Sequence, residues 1–183
     1  MRKPKRNLRR KMHRQIREIN STAEQVWDSY DARLQRLEDI EAIRRLKAAY
    51  CSACDDDHNG EAVAALFTKN GSWQHIGKHS TEGTADNEPK NGRREISKFM
   101  LSLRSAGFIR HSAHMVTNPV INVSGDEADG SWRFIMLYSH TDGSFFRIIG
   151  HYEEQYVRIK GNWFFRSLIA HVEETGRYLE NEL

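Results

Sequence analysis

The sequence has few of the residues that cross-link or break a fold. It contains only two cysteines and three prolines among 183 residues, which excludes a disulfide-rich scaffold and a collagen-like chain. No run of eighteen apolar residues occurs, and the N-terminus lacks the apolar stretch of a secretory signal. We therefore expect a cytoplasmic protein without a membrane span. Residues 1–17 are rich in Arg but contain no Ser or Thr, which argues against a mitochondrial presequence.

Positive charge is concentrated at the N-terminus. Residues 1–18 hold nine Lys or Arg against one Glu, a net charge of +8, whereas the other 165 residues hold 19 cations and 24 acids, a net charge of −5. A thin apolar stripe in this segment predicts a basic helix that packs on another subunit rather than on a polyanion. No aromatic residues alternate with the basic ones there, so we do not expect a nucleic-acid role.

Helical patterns occupy the first third of the chain. Asn20 and Ser21 are predicted to interrupt the basic helix, with Ser21 and Glu24 forming a capping box for a second helix. A third helix is predicted to begin near Glu38 and to end in the acidic cluster 55–57. Three acids at a helix C-terminus oppose the macrodipole, which leaves their presence unexplained by local physics. We expect Asp57 or Asn59 to cap a short helix over 61–67.

Strand patterns dominate the rest of the chain. A strand at 72–76, a polar loop at 77–92 that is a candidate lid and a helix at 93–103 precede four antiparallel strands, predicted at 110–123, 127–140, 144–159 and 163–173. Helices followed by a meander of strands predict an α+β fold, with the helices packed on one face of a curved antiparallel sheet.

A strand with two histidines is the first candidate for chemistry. Side chains alternate along a strand, so His114 and Asn118 are predicted to share one face and His111 the other. A histidine enclosed between the sheet and the helices could act as a general base, although a structural, half-buried histidine would give the same pattern. The strand by itself does not decide between these two interpretations.

A phenol and a carboxylate near the end of the third helix are the second candidate. Tyr50 and Asp55 differ by about 140° around a helix, so they converge on one pocket only if the helix end unwinds. The intervening Cys51 and Cys54 fit packed thiols better than a redox pair. His75 and His79, with Glu82, lack the helical geometry of i, i+4 metal ligands, and a coincidental surface group is the better interpretation.

Several short motifs follow one another in a particular order. Together they resemble the SnoaL-like branch of the nuclear transport factor 2-like superfamily over residues 36–175, whose relatives include scytalone dehydratase, bile acid 7α-dehydratase and hexachlorocyclohexane dehydrochlorinase. The motifs are the run from Ile40 to Tyr50 followed by Asp55, the segment from Ala65 to Trp73, Gly92-Arg-x-Glu-Ile96, His114 to Pro119, and Gly161 to Phe164.

The resemblance implies a domain of residues 36–178, preceded by a basic helical extension over 1–35 and followed by a tail over 179–183. It implies a cone-shaped α+β fold with a mixed-edge sheet whose concave face holds the helices around a deep pocket. It also implies a homodimer or homotrimer that acts on a small molecule without cofactor or metal, or alternatively a non-catalytic subunit such as that of a ring-hydroxylating dioxygenase.

The resemblance also implies roles for particular residues. His114 and Asp55 match the proton-abstracting pair of the relatives, and Tyr50 matches a catalytic tyrosine of the bile acid enzyme. Trp73, Tyr138, Asn118 and Trp132 are expected to contact substrate. A second catalytic aspartate of the bile acid enzyme falls near Met136, which cannot ionise, so the substrate of that enzyme is not transferable. The implied reaction is a lyase or isomerase step on an apolar cyclic, polyketide-like or steroid-like molecule.

Overall fold

The structure is a computed structural model that describes residues 4–77 and 88–178, with side chains over 29–77 and 88–178. The chain divides into two compact units, Met1–Asp39 and Ile40–Leu183. Residues 78–87 and 179–183, which include most of the predicted lid and the whole predicted tail, lie outside the described residues. The predicted boundaries at residues 35 and 178 stay predictions.

One helix, α1, spans Pro4–Asp55 without a break. The predicted interruption at Asn20 and Ser21, and the separate start near Glu38, are therefore wrong. Between Pro4 and Gly60 the sequence contains neither glycine nor proline, and Asn or Ser inside a helix costs less than about 1 kcal/mol relative to Ala. The capping signal was too weak to end a helix that both flanking sequences favour.

The second unit begins inside α1, at Ile40, and continues with two further helices and six strands. These are α2 (Gly60–Ala65), β1 (Phe67–Ile76), β2 (Lys90–Asn91), α3 (Gly92–Ser105), β3 (Ile109–Ser124), β4 (Glu127–His140), β5 (Phe145–Ile159) and β6 (Asn162–Tyr178). The end of the predicted lid loop is the short strand β2, which pairs with β1. None of the helices in the described ranges is long and apolar enough to cross a bilayer.

The strands form a single curved sheet in the order β2-β1-β6-β5-β4-β3. Strands β3 to β6 pair antiparallel with their neighbours in sequence, as predicted, and β1 runs parallel to β6, which makes the sheet mixed at this edge. The predicted α+β class with a curved mixed-edge sheet is confirmed.

Alternation along the strands gives the sheet two different faces. The inner face packs against the helices and carries most of the buried side chains of the strands, including Phe146, Ile148 and Phe165. The outer face carries the polar and charged residues between them, as the alternating burial of β5 illustrates. The inner face therefore holds the core and the outer face is open to solvent.

Candidate active site

A carboxylate and an imidazole from different elements meet at the inner face of the sheet. Asp55 is the last residue of α1, and His114 lies in the middle of β3. Asp55 Oδ1 is 2.6 Å from His114 Nδ1, and the backbone N–H of His114 donates to Asp55 Oδ2 at 2.9 Å. The side chain of His114 is only 8% exposed. The structure thus brings together the two residues that the sequence predicts as a base and its partner.

A third residue, Ser112, also binds the carboxylate of Asp55. It lies two residues before His114 on the same face of β3, and its hydroxyl donates to Asp55 Oδ1 at 3.0 Å. Burial raises the pKa of Asp55, but the hydrogen bonds from His114 and Ser112 outweigh it, and the pKa lies below its ordinary value. An ionised carboxylate only accepts, so Nδ1 of His114 donates to Asp55, and Nε2 is the ring nitrogen that can accept a proton when the imidazole is neutral.

The three acidic residues at the end of α1 each contact a specific partner. Asp55 binds the strand, Asp57 forms an ion pair with Arg104 at 2.9 Å, and Asp56 accepts from the Asn59 amide at 3.0 Å. Asn59 also caps α2 by accepting a backbone N–H at 3.1 Å, which confirms one of the two predicted caps. Asp55 and Asp57 therefore have partners distant in sequence that local helix physics could not supply, whereas the partner of Asp56 lies in the same turn.

The turn after α1 holds a histidine that the sequence analysis missed. His58 adopts a left-handed backbone conformation with φ 52° and is buried. Burial lowers the pKa of His58, and the positive charge that His114 carries when it is protonated lowers it further, which favours a neutral imidazole beside the dyad. Its position in a strongly polar turn gave no sequence signal of burial.

Tyr50 points into the core rather than toward the dyad. Its hydroxyl accepts from Trp73 Nε1 at 2.8 Å, and its ring packs edge-on against Tyr152 and Phe165. Helix α1 does not unwind before Asp55, so the angle of about 140° between the two side chains is kept. In the described part of the chain Tyr50 forms no hydrogen bond with the dyad. Burial raises the pKa of Tyr50 well above its usual value.

Tyr138 lies next to the dyad on the neighbouring strand. It pairs with Ser112 across β3 and β4, while Met136 pairs with His114. Tyr138 is buried on the inner face, with its ring stacked on Phe146 at 4.7 Å. Tyr138 is thus two residues along β4 from the position opposite His114, and Met136, which occupies that position, has no proton to offer.

Asn118 does not share the face of His114. The register of β3 and β4 shifts between Thr117 and Val120, and Asn118 has φ 50°, in the left-handed region. This bulge leaves Asn118 exposed, and its side-chain oxygen Oδ1 accepts a hydrogen bond from the Thr117 hydroxyl at 3.1 Å. The predicted strict alternation fails here because the following proline has no N–H for the ladder and a bulge accommodates it.

Trp132 belongs to a buried polar network that was not predicted. Its Nε1 donates to the Tyr156 hydroxyl at 3.0 Å, and that hydroxyl donates to Glu154. The other oxygen of Glu154 accepts from Lys47 Nζ at 2.5 Å, and both charged side chains are fully buried. Lys47 Nζ lies 3.2 Å from the centre of the Tyr152 ring. Two sequence signals were available, a lysine in the apolar stripe of α1 and a glutamate at an inward position of β5.

A groove of about 450 Å³ lies on the outer face, lined by side chains that include Val120, Ser131, Glu153 and Gln155. It does not include Tyr50, Asp55 or His114.

The two other candidates from the sequence fare differently. Cys51 and Cys54 are free and buried, and burial raises their pKa values to about 11 and about 12, which fits packed thiols. His75 is buried on β1, whereas His79 and Glu82 lie outside the described residues, so that group stays untested.

Solved structures with the same fold include proteins from two species of Novosphingobium. A protein from Novosphingobium aromaticivorans, provisionally assigned as a scytalone dehydratase, is 24% identical, with a TM-score of 0.67 over 78% of this chain and 89% of that chain. The hexachlorocyclohexane dehydrochlorinase LinA-type3 from Novosphingobium barchaimii LL02 is 18% identical, with a TM-score of 0.67 over 80% and 94%. At these identities the likeness shows the fold.

The family follows from the sequence comparison. Among curated protein sequences, none matches this chain. Residues 35–169, however, match the SnoaL-like domain family, and this stretch contains both members of the dyad and all six strands up to the middle of β6. The chain therefore belongs to the SnoaL-like domain family.

Proposed function

We propose that the protein is a cofactor-independent lyase or isomerase that acts on a mostly apolar, cyclic, polyketide-like or steroid-like small molecule. The observation that carries the proposal is the dyad, in which Asp55 holds Nδ1 of a nearly buried His114 at 2.6 Å. The similar folds provisionally assigned or named as a dehydratase and a dehydrochlorinase support an elimination reaction.

In the proposed reaction His114 removes a proton from carbon. Its Nε2 takes the proton from a C–H next to an electron-withdrawing group, and the released electron pair forms the new double bond. In a dehydration, the hydroxyl on the adjacent carbon takes this proton from His114 Nε2 and leaves as water, which returns the imidazole to its neutral form. In an isomerisation, His114 returns its proton to a different carbon. Asp55 stabilises the imidazolium formed in either case and keeps the ring oriented.

Tyr138 is the proposed hydrogen-bond donor to the departing hydroxyl or to the developing oxyanion. This role is supported by its inward position beside Ser112, which itself contacts Asp55. Tyr50 is less suited to the role because its hydroxyl lies beside Trp73 and its ring packs in the core against Tyr152. Trp73 and Trp132 would then shape the apolar wall rather than donate to substrate, since both indole N–H groups are bonded to tyrosines.

The proposal is tested by solvent exchange, which does not require the natural substrate. A thermal-shift screen of hydroxylated polycyclic and aromatic compounds identifies ligands, and each ligand is then incubated with protein in D₂O. We expect deuterium incorporation or water loss with the wild-type protein, measured by mass spectrometry. The variants His114→Ala and Asp55→Asn should be slower, with a loss of about 100- to 10,000-fold for His114→Ala.

His111→Asn is the matched control, because His111 lies on the same strand but is exposed. This variant should retain wild-type exchange. Full activity in His114→Ala or Asp55→Asn would contradict the assignment. Binding of a screened compound without exchange or elimination in the wild-type protein would instead favour the alternative, a non-catalytic ligand-binding subunit of the same fold.

As part of the same proposal, the protein works in the cytoplasm as a homodimer or homotrimer. Two free cysteines are usual for a protein in a reducing compartment. Light scattering of the purified chain measures the subunit number, and a monomer at working concentration would contradict this part.

A further inference from the structure

Two histidines and a glutamate meet on the outer face of the sheet, which the dyad does not use. His151 on β5 and His171 on β6 are directly opposite each other, and their rings are stacked with centroids 4.5 Å apart. Glu153 follows His151 by two residues and therefore projects from the same face. One ligand atom from each residue lies within 4.8 Å of the others.

The facing nitrogen and oxygen atoms of these three side chains are farther apart than in ordinary hydrogen bonds. Glu153 Oε1 is 3.8 Å from His151 Nε2, and Glu153 Oε2 is 3.4 Å from His171 Nε2. His171 Nε2 is inaccessible to solvent and makes no hydrogen bond within the described ranges. Tetrahedral ligands with bonds of about 2.0–2.1 Å are about 3.3 Å apart, so binding one ion requires the three atoms to draw together and the two stacked rings to tilt toward a common point.

A second carboxylate orients one of the two rings. His151 Nδ1 lies 2.7 Å from Glu173 Oε1, and Arg133 holds both oxygens of Glu173 at 2.7 and 2.8 Å. The carboxylate of Glu173 is therefore held by Arg133 in a position where it faces Nδ1 of His151. His151 Nε2, on the other side of the ring, faces Glu153, as in the carboxylate–histidine–metal arrangement of known metal sites.

We propose that His151 Nε2, His171 Nε2 and the Glu153 carboxylate bind one divalent transition-metal ion of the zinc type. Two imidazoles with one carboxylate suit Zn²⁺, whereas Mg²⁺ and Ca²⁺ take oxygen ligands. Three protein ligands leave the fourth tetrahedral position to water, and the ion links β5 to β6. Glu173 is a positioning residue, because it acts through His151. The site is on the face opposite the dyad, so the inference does not depend on the proposed reaction.

The test is a Zn²⁺ titration of the untagged full chain after removal of metals by a chelator. Calorimetry should give one Zn²⁺ per chain, and Zn²⁺ should raise the melting temperature while Mg²⁺ at the same concentration does not. His171→Gln and His151→Asn should each weaken binding at least about 10- to 100-fold. Glu173→Gln should weaken binding by a smaller factor than loss of a ligand, because only the orientation of His151 is lost.

His111→Asn again serves as the matched control, since it removes an exposed histidine from β3, which is separated from β5 by β4, without touching the cluster. It should bind Zn²⁺ as the wild-type protein does. The circular dichroism spectrum of each variant shows whether the fold is kept. Wild-type affinity in a correctly folded His171→Gln protein would overturn the proposal, as would equal binding of Mg²⁺ or no binding at all.

Discussion

The buried ion pair between Lys47 and Glu154 should dominate the response of the fold to a single substitution. Both side chains are fully buried, and Nζ and Oε1 are 2.5 Å apart. Lys47→Met keeps the length of the side chain but leaves the Glu154 carboxylate buried without a cation. Breaking one partner of such a pair costs about 3–5 kcal/mol, because the remaining charge stays desolvated.

The expected loss is large enough to measure by thermal or urea unfolding. For a chain of this size about 1 kcal/mol corresponds to about 2–4 °C, so Lys47→Met should lower the melting temperature by about 6–20 °C. Glu154→Gln should cost a similar amount for the same reason. The double variant should cost clearly less than the sum of the two, because the second substitution removes the charge that the first one stranded. Unfolding is compared at one protein concentration, since subunit association changes apparent stability.

A matched pair on the same helix isolates the effect of burial. Arg45 and Glu41 form an ion pair at 3.1 Å, but their side chains are 79% and 53% exposed. Arg45→Met should therefore cost no more than about 0.5 kcal/mol. If Lys47→Met costs as little as Arg45→Met, or if the double variant shows no coupling, the argument from desolvation is refuted.

Three further predictions concern other parts of the second unit. Cys51 and Cys54 should react with Ellman's reagent at pH 8 at least about 100-fold more slowly in the folded protein than after denaturation, because their raised pKa values leave little thiolate. Gly150→Ala should lower the stability measured by urea unfolding by about 1–3 kcal/mol or more, since the added Cβ would lie 2.0 Å from the His171 carbonyl oxygen. Asp55→Asn should cost about 1–3 kcal/mol at neutral pH. The pKa of Asp55 is lower in the folded than in the unfolded protein. The difference in the free energy of unfolding between the wild-type protein and Asp55→Asn should therefore shrink as the pH falls through the folded pKa.

Most of the strands could be predicted because the turn residues and the alternation of polar and apolar residues indicate the same strand bounds. Strand β4 has the predicted bounds, and β3 and β5 differ from prediction by a single residue at their ends. The turns at Gly125 and Gly161 adopt positive φ, which glycine tolerates without strain. Strand β6 runs five residues past its predicted end because its pairing with β5 continues through polar residues. Helix α1 was predicted in three pieces because the capping signal at Ser21 was taken to end a helix. The helical propensity of the residues on both sides outweighs that signal.

The site was less accessible to sequence reasoning, because its parts meet only through tertiary structure. Local physics gave the alternation of β3, while the pairing of His114 with Asp55 came from the family resemblance. Ser112 could have been found as the next inward residue before His114. Asn118 was misplaced because one bulge inverts the alternation. The cluster of His151 and His171 needed the register of a long hairpin, which spacing along the chain does not reveal.

One segment of β5 shows how the buried pair also fixes that register. In His151-Tyr-Glu-Glu-Gln-Tyr156 the outward residues are His151, Glu153 and Gln155, and the inward ones are Tyr152, Glu154 and Tyr156. Both faces contain a glutamate, so hydrophobic alternation discriminates weakly between two registers that differ by one residue. A slip would turn Glu154 outward and leave Lys47 buried without its partner, at a cost of about 3–5 kcal/mol. The same slip would turn His151 inward and dissolve its contacts with Glu173 and His171. The inner ion pair thus holds in place the strand register on which the outer histidine cluster depends.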